Sequence, residues 1–173
     1  MDMERQVIVM QGVSGSGKST LAHKLAKIFG EQGVVVSADD FFRHGGAYNF
    51  DASKLGEAHD DCFRKFLGAL TNDTLQVVIV DNTNTLATDA APYMRAASAF
   101  GWRARILRVE VDHRVAAARN DGRAPATTVE WQAKNLELQR YPAYWTIQAV
   151  RSEDVATSDV QRLLRWPSSS EVR

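Results

Sequence analysis

Near the amino terminus, Gly12-Val13-Ser14-Gly15-Ser16-Gly17-Lys18-Ser19-Thr20 follows directly on the apolar run Val7-Ile8-Val9-Met10. Glycines at this spacing let backbone N–H groups converge on a phosphate chain without Cβ obstruction, and the helix opened by the loop adds the positive end of its dipole. Lys18 supplies a mobile cation for β and γ phosphates, and the Ser19 hydroxyl is placed to ligate Mg²⁺. The expected nucleotide contacts are therefore Gly12, Ser14, Gly15, Ser16, Gly17, Lys18, Ser19 and Thr20. A glycine-serine linker would not sit between a buried-type strand and the amphipathic segment Leu21, Leu25, Ile28, Phe29.

Two further strand ends carry acids. The second ends in Ser37-Ala38-Asp39-Asp40-Phe41-Phe42-Arg43. A carboxylate there can take a proton from an attacking hydroxyl, or hold a water of the Mg²⁺ shell, which makes Asp39 the general-base candidate. Asp40 either contacts substrate or caps the following turn. The third ends in Asp81-Asn82-Thr83-Asn84. An apolar strand followed by Asp is the Walker B pattern, with Asp81 ordering the Mg²⁺ shell, and Asn82, Thr83 and Asn84 can hydrogen-bond an acceptor or simply make a turn.

Arg119 and Arg123 lie four apart, on one face if their helix continues, before Gly122 and Pro125 break the pattern. Paired arginines beside a hinge suit a lid that excludes water and places a guanidinium on a transferring phosphoryl group. The loop Arg43-His44-Gly45-Gly46-Ala47-Tyr48-Asn49-Phe50 is flexible, basic and aromatic, with Arg43 and Tyr48 as acceptor contacts; stacking on aromatic rings tolerates any base.

These residues need a scaffold, and the chain supplies one domain. At 173 residues it is long enough for one well-buried core. Short apolar runs alternate with helical patterns: strand 6–11, helix 18–31, strand 33–37, helix 52–71, strand 75–80, helix 88–100, strand 102–111, helix 112–121. A helix at 129–140, a strand at 145–150 and a helix at 157–164 follow, with a frayed tail at 167–173. Repeated βα units give a parallel sheet covered on both faces, whose ligands bind beyond the carboxyl ends of the strands. Thr88 and Asp112 are the expected caps of the two later helices. The stripe Leu55, Ala58, Cys62, Phe63, Phe66, Leu67, Leu70 marks the 52–71 helix as a packing element.

Acidic and basic residues balance at 21 each, so no bulk field drives the chain onto polyanions or anionic membranes. The lone Cys62 excludes a disulfide framework and a cysteine-based zinc site. No signal peptide and no run of 18 apolar residues is present, which gives the expectation of a soluble, cytoplasmic protein without membrane partners.

Taken in order, GVSGSGKST, SADDFF, GAYNF, VDNTN and RNDGRAP resemble the P-loop kinases related to 5′-hydroxyl polynucleotide kinase, over about residues 6 to 140. The resemblance implies an α/β, three-layer αβα P-loop kinase domain over residues 1–166, with a five-stranded parallel sheet in order 2-3-1-4-5 and a helical lid at about 119–128. It implies Asp39 as catalytic base, Lys18 and Ser19 as phosphate and Mg²⁺ ligands, and Arg123 as the lid arginine on the donor's phosphates. Where phage-type polynucleotide kinases place an acceptor-gripping arginine three residues after the base, this chain has Phe42, with Arg43 next.

The reading that follows is an ATP- or GTP-dependent, Mg²⁺-requiring kinase acting on a hydroxyl of nucleic acid: the 5′-hydroxyl of DNA or RNA, or a hydroxyl on a modified base. The alternatives are a small-molecule or nucleoside kinase, which the neutral charge favours, and a nucleotide-dependent regulatory module without turnover. The last has no use for a base beside the acceptor.

Overall fold

The computed structural model describes residues 4–120, 122–155 and 160–168, and for His44 the backbone only. Strand β1 (Gln6–Gln11) leads through the glycine-rich loop into helix α1 (Lys18–Phe29) and strand β2 (Gly33–Val36). A single-turn 3-10 segment, Ala38–Phe42, precedes a small hairpin of β3 (Arg43–His44) and β4 (Ala47–Tyr48). Then come α2 (Leu55–Leu70), β5 (Val77–Val80), α3 (Ala87–Ala99), β6 (Arg103–Glu110), α4 (His113–Arg119), α5 (Ala126–Leu138) and β7 (Thr146–Arg151).

The main sheet is wholly parallel in the order β2-β5-β1-β6-β7. With the hairpin strands left out of the count, its strands run second, third, first, fourth, fifth. β1 is central and completely buried because both its faces are covered. Its residues alternate between two cores, as a period of two requires. Val7 and Val9 join Val78, Val80, Cys62, Phe66 and Tyr93 under α2 and α3, whereas Ile8 and Met10 join Ile79, Leu107, Leu21 and Leu25 under α1. The expected stripe of α2 packs as proposed except for Leu55, which lies exposed at the first turn.

Several boundaries differ from expectation. α1 stops at Phe29 because Gly30 takes φ 55°. α2 begins at Leu55, after a 3-10 turn capped by Asp51, whose carboxylate accepts from the Ser53 N–H. Thr88 is not a cap: the helix starts one residue earlier, and Asp89 accepts from the Leu86 N–H at 2.9 Å. Asp112 does cap α4, accepting from the Arg114 N–H. α5 starts at Ala126, three residues before its expected start. The 43–50 loop is a hairpin turned by Gly45 and Gly46, both at positive φ.

Of the carboxyl-terminal helix expected at 157–164, the described part is a 3-10 turn, Val160–Leu164, which follows a first such turn at Ser152–Val155; 156–159 lie outside the described residues. Arg105, fully buried on β6, fastens the second turn by donating to the carbonyls of Leu163 and Arg165 and to Gln148 Oε1. Burial lowers its guanidinium to about 10, with Arg103 adding to the effect. Pro167 is buried, and the Trp166 ring lies 3.8 Å from the Arg103 guanidinium. Residues 169–173 of the expected tail are outside the description.

Candidate functional site

The ends of β1, β2 and β5 converge, and the glycine-rich loop is built against them. Gly12 N–H donates to the Thr83 carbonyl at 3.0 Å, so the third strand end fixes where the loop departs. Gly15 adopts φ 83°, and a Cβ on it would run into the Ala116 carbonyl of α4, which explains why this position cannot carry a side chain.

Lys18 is nearly buried, its Nζ donating to the Val13 carbonyl at 2.8 Å and reaching Ser16 Oγ at 3.5 Å. Burial pulls its ammonium down to about 8, against the opposing pull of Asp81 and then Asp39. Both strand-end acids therefore act electrostatically on the lysine. Asp81 is buried, which raises its carboxyl above the usual range; the Ser19 hydroxyl and then Lys18 work in the other direction. Ser19 and Thr20 are exposed on the first turn of α1, and Ser16 is buried.

Asp39 is exposed at the mouth of the site. Its N–H is held by Ser37 Oγ at 3.2 Å, and Ser37 in turn donates to the Asp81 carbonyl at 2.8 Å, tying the second strand end to the third. Tyr48 Oη reaches back from the hairpin to donate to Asp39 Oδ1 at 3.3 Å. The Arg43 guanidinium lies 5.6 Å from the Tyr48 ring and 3.8 Å from Asp40 Oδ1, so Asp40 faces the hairpin. Burial raises the Tyr48 phenol, Asp39 raises it further, and Arg123 and Arg43 oppose. Arg123, exposed beyond α4, thus acts electrostatically on the hairpin side of the cleft.

Three expectations meet a different geometry. Asn82 Oδ1 accepts from the Ala38 N–H, and its Nδ2 lies against Tyr93 Oη and Cys62 Sγ. Asn84 stands at φ 43° and donates to the Met10 carbonyl at 2.8 Å. Both amides are buried and brace the strand ends instead of facing an acceptor; Thr83 serves the loop through its carbonyl. Arg119 and Arg123 do not share a helix face, because α4 ends at Arg119 and the Arg123 N–H closes a turn onto Asn120. The Arg43 guanidinium lies over one side of the Tyr48 ring, which stays exposed at the hairpin.

Two contributors gave no sequence signal. Ser152, just past β7, donates to the Ser16 carbonyl at 2.6 Å and accepts from Arg119 Nη1 at 2.9 Å. Gln132 of α5 accepts the Ser14 N–H at 2.8 Å. Both meet the loop across more than a hundred residues, with no local spacing to reveal them. No helix among the described residues is long and apolar enough to cross a membrane.

Human NEDD4-binding protein 2 is 38% identical over 88 residues, which is 51% of this chain and 5% of that protein; the chain spans only a small part of this relative. A gluconokinase from Sinorhizobium meliloti superimposes with a TM-score of 0.59 at 15% identity, covering 95% of this chain and 90% of that one. The APS kinase of Mycobacterium tuberculosis, in complex with AMPPNP and APS, gives 0.54 at 17%, covering 93% and 94%. Residues 7–145 match the family described as AAA domain, a span that takes in nearly all of β1, the glycine-rich loop, the hairpin, α4 and α5; the chain belongs to that family and has the fold of P-loop kinases.

Proposed function

We propose that this chain is an ATP- or GTP-dependent phosphotransferase that moves the γ-phosphoryl group to a hydroxyl of nucleic acid, the 5′-hydroxyl of DNA or RNA or a hydroxyl on a modified base. The observation that carries the chemistry is the contact of Tyr48 Oη with Asp39 Oδ1: the carboxylate at the cleft mouth already receives a hydroxyl, within electrostatic reach of Lys18. An acceptor hydroxyl taking that place gives its proton to Asp39 as its oxygen attacks the γ phosphorus and the nucleoside diphosphate departs.

The loop N–H groups and Lys18 hold the donor's phosphates. Ser19, with Asp81 behind it and Asp39 across the cleft, suits a hard divalent cation: hydroxyl and carboxylate oxygens are the ligands Mg²⁺ prefers. When bound, Mg²⁺ would neutralise charge on the phosphates. Arg119, held at Ser152 beside the loop, and Arg123, opposite the hairpin, are the lid's contributions to the donor. Arg43 and Tyr48 line the acceptor side. A nucleic-acid acceptor is supported by the ordered motifs that resemble polynucleotide kinases and by the aromatic, basic hairpin.

A small-molecule acceptor is the second reading. It is favoured by the zero net charge, which offers a polyanion no bulk attraction, and by the like fold of structures named gluconokinase and APS kinase. Transfer from radiolabelled ATP to a panel of 5′-hydroxyl oligonucleotides, nucleosides and small polyols decides between them. Label confined to nucleosides or polyols would overturn the nucleic-acid reading, and label on none of them would overturn the kinase.

A further inference from the structure

The Val13–Ser14 peptide is gripped from both sides. Its carbonyl accepts from Lys18 Nζ at 2.8 Å, and its N–H donates to Gln132 Oε1 at 2.8 Å. A trans peptide is a rigid plane whose N–H and C=O point in opposite directions, so fixing one fixes the other. Gln132 is itself held firmly. It is buried on the face of α5 that also carries Val129, Ala133 and Leu136, and these pack with Val13 and Ala116 into a small apolar cluster over the loop. The partner of a backbone N–H must be an acceptor, so the amide orientation of Gln132 is fixed by chemistry.

We propose that Gln132 is a positioning residue for the donor's terminal phosphates: it sets the Val13–Ser14 peptide, and that peptide sets Lys18. The Ser16 N–H also donates to the Val13 carbonyl, at 3.2 Å, so without Gln132 the peptide is tethered on its carbonyl side alone, tilts about that tether, and loosens the aim of Lys18 at the β and γ phosphates. The rest of the loop keeps its own supports, Gly12 on Thr83 and Ser16 on Ser152, so donors facing the α phosphate stay in place. Because α5 follows the lid directly, the helix that trails the lid carries the brace for the lysine. This inference rests on the nucleotide-donor reading above.

The test is calorimetric binding of Mg²⁺·AMPPNP and of AMP to the full chain, wild type and Gln132→Met, with Gln132→Ala as second variant and melting curves to verify folding. Loss of one net hydrogen bond and of the lysine's placement should weaken AMPPNP about tenfold while AMP, which lacks the phosphates Lys18 serves, changes less than about twofold. Equal weakening of both ligands would show that Gln132 supports the loop as a whole and would overturn the proposal, as would unchanged AMPPNP affinity in a folded variant. If wild type bound neither nucleotide, the donor-site reading would fall too; if wild type binds both and the contrast is missing, only the role of Gln132 falls.

Discussion

Tyr48 Oη donates to Asp39 Oδ1 at 3.3 Å, so a hairpin strand nine residues downstream reaches back to the acid at the end of β2. In the proposed mechanism an acceptor hydroxyl takes the place of this phenol, and the two residues make different predictions. Asp39→Asn keeps the shape and removes the base, so turnover should fall by ~10² or more with ATP affinity held within a few fold. Tyr48→Phe keeps the ring between Arg43 and Phe42, so turnover should stay within about threefold of wild type. Steady-state kinetics on both variants checks the pair, and an active Asp39→Asn enzyme would move the base to Asp40 or Asp81.

Lys18 carries a cost that its function explains. Burial lowers its ammonium from 10.5 to about 8, so the unfolded chain binds this proton more tightly than the folded one does. Stability from this group therefore rises as pH climbs from about 8 toward 10.5, and below 8 the buried charge is a standing penalty. Lys18→Met should raise the melting temperature of the nucleotide-free protein at pH 7 while abolishing transfer. In wild type, kcat/KM for ATP should decline as pH passes about 8, because the cation that holds the phosphates is lost. Calorimetry and a pH–rate profile measure the two effects separately.

Asp81 and the Ser19 hydroxyl act on each other at the mouth of the phosphate loop. Asp81→Asn keeps a hydrogen-bonding partner and removes the charge, so the Mg²⁺ concentration for half-maximal activity should rise by about tenfold or more. A metal titration of activity in which the midpoint did not move would separate Asp81 from the ion.

Arg105 tests the fold apart from the site. Its guanidinium ties β6 to β7 and to the last described turn, so Arg105→Ala leaves a void and three acceptors without their donor. A loss of about 3 kcal/mol is expected in denaturant unfolding. A variant within about 0.5 kcal/mol of wild type would mean that the carboxyl-terminal turn is held by other contacts.

Salt distinguishes the two acceptor readings. An oligonucleotide held by a few arginines should lose affinity with a small log–log slope, reflecting roughly two to four phosphate contacts, and Arg43→Ala should reduce that slope by about one. Acceptor KM at saturating ATP, measured against salt, gives the slope directly. A flat response for the true acceptor would favour the small molecule.

The sequence by itself determined what is local. The phosphate loop, the apolar strand runs and the acids at two strand ends are written in short windows, because glycine spacing, apolar runs and strand-end polarity act over a few residues. From these the parallel sheet followed, and with it the expectation that Lys18, Ser19, Asp39 and Asp81 gather, since parallel strands deliver their carboxyl ends to one edge. What only the tertiary structure decided is how each polar side chain spends its hydrogen bonds. Asn82 and Asn84 look like substrate ligands in sequence, yet burial leaves their amides no water to bond and commits them to Ala38 and Met10. Gln132 and Ser152 look like ordinary polar positions, and they reach the loop only because α5 and β7 fold back over it. Helix ends shifted for the same reason: α4 stops at Arg119 once Arg123 closes its own turn, and no periodicity within the segment encodes where that break falls.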